Sequence, residues 1–212
     1  MQLIKNFING AFVDGVAGKT FDKRSPVDNR LIARVSEAGK ADVDAAVRAA
    51  HAARQGVWGG LATDQRVDLL YGVANEITRR FEDFVDAEMA DTGQPRHVMT
   101  SAFIPRGAAN FKVFADIVKN VPTESFQMPT PDGRGALNYG LRVPKGVVGV
   151  ISPWNAPFLL MTWKVGPAMA CGNTVVVKPS EETPLTTTLL GEVMNAVGIP
   201  KGVFNVVHGF GP

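Results

Sequence analysis

The stretch Gly146-Val-Val-Gly-Val-Ile151 decides the fold, because it is an unbroken run of small and β-branched residues. Such a run is typical of a strand that is buried on both faces of a parallel sheet. Two similar runs follow it, Thr174-Val-Val-Val-Lys178 and Phe204-Asn-Val-Val-His208. Helical patterns lie between the runs over residues 157–170 and 184–197, and each begins with a proline. This β-α-β-α-β order predicts a doubly wound α/β domain with right-handed crossovers.

The carboxyl ends of parallel strands form the edge of the sheet where ligands usually bind. In this sequence that edge would hold residues 152–155, 178–181 and 208–212. At the first strand end, Asn155 either caps the helix that follows or points its side-chain amide at a ligand oxygen. Both interpretations stay open on the residues alone.

The second and third strand ends also allow two interpretations each. Lys178 and Glu181 form either an ion pair beside a helix-capping Ser180, or a site that recognises the hydroxyls of a nucleotide ribose. Gly209-Phe-Gly211 is either a plain turn or the beginning of an incomplete Gly-x-Gly-x-x-Gly motif.

The first half of the chain is predicted to be mainly helical. Asn9-Gly10 lies between apolar residues and predicts a tight hairpin. Residues 31–36 predict another short strand. Helices are predicted to start at Asp42 and at a capping Thr63. Residues 81–93 either continue the second helix or form a third, and a further helix is predicted over residues 104–119.

Residues 120–135 are rich in proline, glycine and polar side chains, so they form the clearest boundary in the chain. Residues 136–143 then predict a strand. We therefore expect an N-terminal hairpin and helical segment (1–121), a strand arm (122–143) and the first β-α-β-α-β of a ligand-binding domain (144–212). Because a doubly wound half normally continues into another helix, the sequence also looks truncated at its end.

Composition limits the class of protein. The chain is 45% hydrophobic and 20% charged, which is typical of a globular protein. Its 22 Lys and Arg residues against 20 Asp and Glu give a net charge of +2, so charge provides no reason to expect a nucleic-acid or membrane partner. We expect no signal peptide in the first ten residues, and no apolar stretch approaches the ~20 residues of a membrane-spanning helix.

The single cysteine, Cys171, excludes an internal disulfide and favours a reducing, cytoplasmic location. Its place just before a buried strand predicts a buried and unreactive thiol. The three histidines, at positions 51, 97 and 208, have no metal-ligand spacing, so we expect structural roles for them and no metal site.

Several motifs closely resemble the NAD(P)-dependent aldehyde dehydrogenase superfamily. They include Val150-Ile-Ser-Pro-Trp-Asn155, Trp163-Lys-Val-Gly-Pro-Ala168 and Gly172-Asn-Thr-Val-Val-Val-Lys-Pro-Ser-Glu181. Ile104-Pro-Arg-Gly-Ala-Ala-Asn-Phe-Lys-Val-Phe-Ala115 and Leu159-Leu-Met-Thr-Trp163 are similar to the hydroxymuconic and aminomuconic semialdehyde dehydrogenases. The resemblance implies a partial Rossmann-like sheet, flanking N-terminal helices and a strand arm that makes a dimer or tetramer of identical chains.

The resemblance also implies roles for individual residues. Asn155 matches the asparagine whose amide holds the substrate carbonyl oxygen and stabilises the oxyanion. Trp163 matches a wall of the aldehyde tunnel, and Arg106 matches an arginine that binds a substrate carboxylate. An arginine at a helix N-terminus opposes the macrodipole, which is a further reason to expect a functional Arg106. The expected NAD-binding residues are Ile151, Ser152, Pro153, Trp154, Lys178, Ser180, Glu181, Gly211 and Pro212.

The family's catalytic cysteine and general-base glutamate lie downstream of the matched region, and Cys171 does not occupy the nucleophile's position. We therefore expect residues 1–212 alone not to oxidise aldehydes. The alternative is a truncated module that only binds a nucleotide or assists assembly. A relative that releases an acyl-CoA or acyl phosphate is a third possibility.

Overall fold

The computed structural model describes residues 2–211, and of Gln2 it describes the backbone only. The strands are β1 (Gln2–Ile4), β2 (Asn6–Ile8), β3 (Ala11–Val13), β4 (Thr20–Arg24), β5 (Leu31–Ser36), β6 (Ser125–Met128), β7 (Ala136–Tyr139), β8 (Val147–Ile151), β9 (Thr174–Lys178) and β10 (Phe204–Val206). The helices are α1 (Lys40–Gln55), α2 (Val57–Gly60), α3 (Thr63–Arg79), α4 (Phe81–Thr92), α5 (Arg96–Val98), α6 (Ile104–Asn120), α7 (Pro157–Ala170) and α8 (Leu185–Val197). A π-helical turn, Met99–Phe103, connects α5 to α6.

The central sheet has the order β3-β2-β10-β9-β8. Its strands β8, β9 and β10 are parallel, and α7 and α8 connect them. This confirms the predicted doubly wound α/β fold. Apolar side chains of α3, α4, α6, α7 and α8 pack together with this sheet in the largest buried cluster.

The N-terminal hairpin extends the central sheet. Asn9 and Gly10 have φ angles of 53° and 78°, which fit the predicted two-residue turn between β2 and β3. Strand β2 pairs antiparallel with β10, with Phe7 opposite Val206. The hairpin was predicted, but its position in the sheet was not, because the pairing joins opposite ends of the sequence.

Two smaller sheets complete the strands. One has the order β1-β5-β4, and the other is the antiparallel hairpin of β6 and β7. Strand β6 lies inside residues 120–135, which were expected to form a boundary, and both β6 and β7 fall within residues 122–143, where a strand arm was expected. The strand expected over residues 136–143 ends already at Tyr139.

Helix α3 begins at Thr63 itself, so the predicted capping role of Thr63 is wrong. Its hydroxyl instead accepts a hydrogen bond from Arg66 Nη2 at 3.2 Å. The backbone N–H of Ala62, which precedes the helix, donates to Gln65 Oε1 at 2.8 Å. At the other predicted start, Asp42 lies in the first turn of α1 and accepts a hydrogen bond from the Gly39 N–H at 2.8 Å.

Within residues 2–211, no helix combines the length and the apolar character that crossing a membrane requires.

Candidate functional site

The carboxyl ends of β8 and β9 lie side by side. Ile151 and Lys178 are register partners at the ends of these strands. The backbone N–H of Ser152 donates to the Lys178 carbonyl oxygen at 3.2 Å. The structure therefore brings two of the predicted site segments, residues 151–155 and 178–181, to one edge of the sheet.

A cleft of about 840 Å³ lies at this edge, between the sheet and α1. The residues that line it include Ile151 and Lys178 at the strand ends, and Gly209 and Gly211 in the segment after β10. The glycine backbone leaves room there, since a Cβ atom on Gly211 would meet nothing within 4 Å. Pro212, the remaining predicted residue of this segment, lies outside the described residues.

Lys178 and Glu181 form the ion pair that was one of the two interpretations, with 3.4 Å between Nζ and the carboxylate. Both side chains are partly exposed. Ser180 does not cap α8; its hydroxyl accepts a hydrogen bond from the Glu182 N–H at 3.2 Å within the loop. The pair therefore presents one cationic donor and one anionic acceptor beside the cleft, which is the chemistry that recognises vicinal hydroxyls.

Asn155 does not cap α7. Ala156 precedes the first helical residue, and its carbonyl accepts the first helical hydrogen bond, from Leu160 N at 2.9 Å. The capping interpretation is therefore wrong. Asn155 is exposed, and its backbone carbonyl accepts a hydrogen bond from Gln94 Nε2 at 2.8 Å.

The other predicted residues of this segment have different surroundings. Ser152 is buried, and its hydroxyl has no hydrogen-bond partner within the described chain. Pro153 is half-buried and Trp154 is 64% exposed. Trp154 lines a second cavity, of about 360 Å³, together with Lys23 and Asp91.

Arg106 and Trp163 lie on adjacent helices, α6 and α7. The guanidinium carbon of Arg106 is 5.7 Å from the centroid of the Trp163 ring, within the range of a cation–π contact. Both side chains are exposed, and they line a groove of about 560 Å³ with Leu159. The structure thus brings the two predicted substrate residues together.

The close approach of α6 and α7 makes this contact possible. Gly107, next to Arg106, is buried against α7. A Cβ atom at Gly107 would overlap the ring of Phe158, so only glycine allows the two helices to pack at this distance.

The macrodipole argument for Arg106 is wrong. Helical backbone runs from Arg96 through the π-helical turn into α6, so Arg106 lies two turns inside a helical stretch. The field of a helix terminus is confined to the first turn. The contact with Trp163 and the position in the groove are therefore what distinguish this arginine.

Cys171 is exposed, which contradicts the expected buried thiol. It lies just before β9, at the edge of the sheet opposite the cleft, since a five-residue strand is about 16 Å long. Its position separates it from Asn155 and Lys178. Among residues 2–211, no group of three or more His, Cys, Asp and Glu side chains is arranged to hold a metal ion.

Two carboxylates of α4 were missed in the sequence. Glu88 Oε1 accepts a hydrogen bond from the Phe158 N–H of α7 at 3.3 Å, and Asp91 Oδ2 accepts one from the Leu185 N–H of α8 at 2.8 Å. Each thus satisfies a free N–H at the start of a crossover helix. The buried ammonium of Lys23 lies 3.8 Å from Asp91 Oδ1. Glu88 falls on the apolar stripe of α4, and this pattern could have predicted from the sequence that its carboxylate is buried.

Burial changes the protonation of two groups near the sheet edge. It raises the pKa of Glu88 to about 8, against the smaller opposing effect of the Phe158 hydrogen bond. Burial, with the nearby Lys178 ammonium, lowers the pKa of His208 to about 4. Both side chains are therefore mainly uncharged at neutral pH, in keeping with the expected structural role of His208.

Comparison with known proteins places this geometry in a family. A model of the aldehyde dehydrogenase family matches residues 12–212. The chain is 65% identical to 2-hydroxymuconic semialdehyde dehydrogenase of Pseudomonas sp. (strain CF600), over 100% of this chain and 44% of that protein. It is 58% identical to 2-aminomuconic 6-semialdehyde dehydrogenase of Pseudomonas sp., over 100% of this chain and 43% of that protein.

A solved structure of the NAD+ complex of aldehyde dehydrogenase from Bacillus cereus superimposes with a TM-score of 0.94. The identity is 38%, and the match covers 100% of this chain and 42% of that one. The chain therefore spans less than half the length of the proteins it resembles. Since the family match extends over nearly the whole sequence and the fold agrees with it, this chain belongs to the aldehyde dehydrogenase family.

Proposed function

We propose that the chain is the N-terminal part of an NAD-dependent aldehyde dehydrogenase that oxidises a carboxylate-bearing, muconic-type semialdehyde to the acid. The proposal rests chiefly on the parallel pairing of β8 with β9. It supports the proposal because the segment that contains Asn155 and the Lys178–Glu181 pair follow neighbouring strand ends at one edge of the sheet. A catalytic cysteine would form the thiohemiacetal and would come from sequence beyond residue 212.

The residues at the cleft fit NAD. The Lys178 ammonium and the Glu181 carboxylate supply a donor and an acceptor for the two ribose hydroxyls. Along the same edge, the Ser152 hydroxyl has no hydrogen-bond partner within the described residues and could bind the cofactor. The backbone at Gly211 leaves space beside it. Ile151, Pro153, Trp154, Ser180 and Pro212 complete the proposed binding segment. When bound, the nicotinamide ring supplies the acceptor for the hydride lost by the substrate.

Asn155 would act on the substrate carbonyl. Its side-chain amide donates to the carbonyl oxygen and stabilises the negative charge that develops when the nucleophile attacks. One such donor typically contributes about 3 kcal/mol to the transition state. Because Asn155 is exposed and caps no helix, its amide is available for this role.

Arg106 would bind the carboxylate at the far end of the substrate. Its planar guanidinium can donate to both carboxylate oxygens at once. Trp163 holds the guanidinium from one side and forms a wall of the groove. A substrate with an aldehyde at one end and a carboxylate at the other would thus be oriented with the aldehyde towards Asn155.

The β6–β7 hairpin would join identical chains into a dimer or tetramer. It carries four exposed apolar side chains, Phe126, Met128, Leu137 and Tyr139. An exposed two-stranded hairpin with apolar faces gains stability when another sheet or chain covers it. The named relatives act on semialdehydes of the muconic type, and we extend this to a cytoplasmic step in the breakdown of aromatic compounds.

The proposal is tested with the full-length polypeptide that carries this sequence, NAD and 2-hydroxymuconic semialdehyde, by following NADH absorbance. We expect NAD-dependent turnover, and no turnover by residues 1–212 alone. Failure of the full-length protein to oxidise any aldehyde, while it still binds NAD or assembles, would instead favour the non-catalytic module. Turnover by residues 1–212 that disappears in Cys171→Ala would contradict the assignment of an unreactive thiol. A requirement for coenzyme A or phosphate would indicate the acyl-transferring relative.

A further inference from the structure

We propose that Gln94 is a positioning residue that fixes the direction of the Asn155 side chain, and this rests on the function proposed above. The observation is the hydrogen bond from Gln94 Nε2 to the Asn155 carbonyl oxygen, at 2.8 Å and across 61 positions of sequence.

The Asn155 carbonyl has no partner in the regular backbone hydrogen bonds of the sheet or the helix. It lies in the loop between the end of β8 and the start of α7, and the first helical hydrogen bond of α7 goes to the next carbonyl, that of Ala156. Neither the sheet nor the helix ladder therefore includes the Asn155 carbonyl. The Gln94 amide supplies the missing donor, and in doing so it fixes the peptide plane that follows the Asn155 side chain.

Gln94 is itself held in place. Gly93 ends α4 in the left-handed conformation with a φ of 69°, and its N–H donates to the Met89 carbonyl at 2.9 Å. The Gln94 N–H donates to Thr92 Oγ1 at 3.2 Å. Pro95 follows and restricts the backbone further. A half-buried side chain on such a rigid turn can orient its partner with little loss of entropy.

The same helix end holds the other side of the loop. Glu88, one and a half turns before Gln94, accepts the hydrogen bond from the Phe158 N–H. Residues 155–158 are thus held at both ends. Gln94 donates to the Asn155 carbonyl, and Glu88 accepts from the Phe158 N–H. An oxyanion donor must lie within a few tenths of an ångström of its target. These two hydrogen bonds therefore determine how well Asn155 can stabilise the oxyanion.

The test compares three substitutions in the full-length enzyme. Gln94→Leu keeps the approximate size and removes the donor, Gln94→Glu replaces the donor with an acceptor, and Gln94→Lys retains an N–H donor. We expect Gln94→Leu and Gln94→Glu to lower kcat about 10- to 100-fold, with the Kd for NAD within twofold of the wild type. Gln94→Lys should keep kcat within about threefold. Gln55→Glu, at the exposed end of α1, is the matched control for the charge change.

A double-mutant cycle separates positioning from packing. In an Asn155→Ala background, Gln94→Leu should have no further effect on kcat, because the two residues act through one oxygen contact. A full additional loss, or equal losses in Gln94→Leu and Gln94→Lys, would overturn the proposal. So would a change in kcat below twofold in Gln94→Leu.

Hydrogen exchange provides a readout that does not depend on catalysis. Gln94→Leu should speed backbone exchange in a peptide covering residues 152–160, and Gln94→Lys should not. Unchanged exchange in Gln94→Leu would overturn the geometric claim. If the wild-type enzyme lacks dehydrogenase activity, the proposed function fails, and this exchange experiment still decides whether Gln94 orders the loop.

Discussion

The backbone N–H of Phe158, at the start of α7, donates a hydrogen bond to the fully buried carboxyl group of Glu88 at 3.3 Å. The second oxygen of Glu88 has no hydrogen-bond partner among the residues described. A carboxyl group in this position links α4 to the helix that follows Asn155. It also carries a large desolvation cost when it ionises.

Glu88 therefore makes stability depend on pH. Burial raises its pKa from 4.5 to about 8, so the folded chain keeps a proton that the unfolded chain loses above pH 4.5. Stability should fall as pH rises from about 4.5 to 8 and then level off. Glu88→Gln removes this loss and should raise the free energy of unfolding by a few kcal/mol at pH 8–9.

Urea unfolding followed by circular dichroism at several pH values measures the effect. Below pH 4.5 the two proteins should differ little, because Glu88 is then protonated in both states. Glu124→Gln, on an exposed carboxylate, is the control. An effect of Glu88→Gln that is the same at pH 4 and pH 9 would contradict the assignment of a buried, neutral carboxyl group.

Gly107→Ala tests the packing of α6 on α7. The added methyl group would overlap the Phe158 ring, and overpacking of this kind costs about 1–3 kcal/mol. The matched control is Gly60→Ala, where a Cβ meets nothing within 4 Å. We expect the denaturation midpoint to fall only in Gly107→Ala. Equal stability of the two variants would show that the helices do not pack as closely as the structure places them.

The strands around the site were predictable because a parallel strand buried on both faces needs a continuous apolar run. Residues 147–151 and 174–178 have such runs, and the structure forms β8 and β9 there. Strand β9 is buried as its run predicts, but the expected burial of β8 on both faces is wrong. Within the described residues β8 is the last strand of the central sheet, and Ile151 at its end is 71% exposed. Helix capping was not predictable. Ser180 and Asn155 precede helices and are common capping residues, yet the N–H of Leu185 is satisfied by Asp91 from α4.

The long-range contacts could not be inferred from local sequence. Gln94 and Asn155 are 61 residues apart, and Phe7 and Val206 pair across almost the whole chain. Such contacts depend on how the helices stack on the sheet. Local pattern placed Asn155, Lys178 and Glu181 at one edge, whereas the residues that hold this edge in place emerged only from the structure.

Glu181 should determine cofactor preference. Its carboxylate would lie close to a 2′-phosphate on the ribose, so NADP would meet a like charge. We expect kcat/KM to favour NAD, and Glu181→Gln to reduce the ratio of NAD to NADP about tenfold. The neighbouring Glu182→Gln, which faces the second cavity, should leave the ratio unchanged. A wild-type preference for NADP, or an unchanged ratio in Glu181→Gln, would be incompatible with ribose recognition by this pair.

The most direct test of the proposed function is kcat/KM of Arg106→Ala in the full-length enzyme, measured with a carboxylate-bearing semialdehyde and with an uncharged aldehyde of similar size. Loss of a charge-assisted contact costs about 1.5–3 kcal/mol, so kcat/KM for the charged substrate should fall roughly ten- to a hundredfold. The value for the uncharged aldehyde should change little, and Arg48→Ala, an exposed arginine on α1, should affect neither substrate. Equal losses on both aldehydes in Arg106→Ala would show that this arginine is structural and would contradict the proposed substrate class.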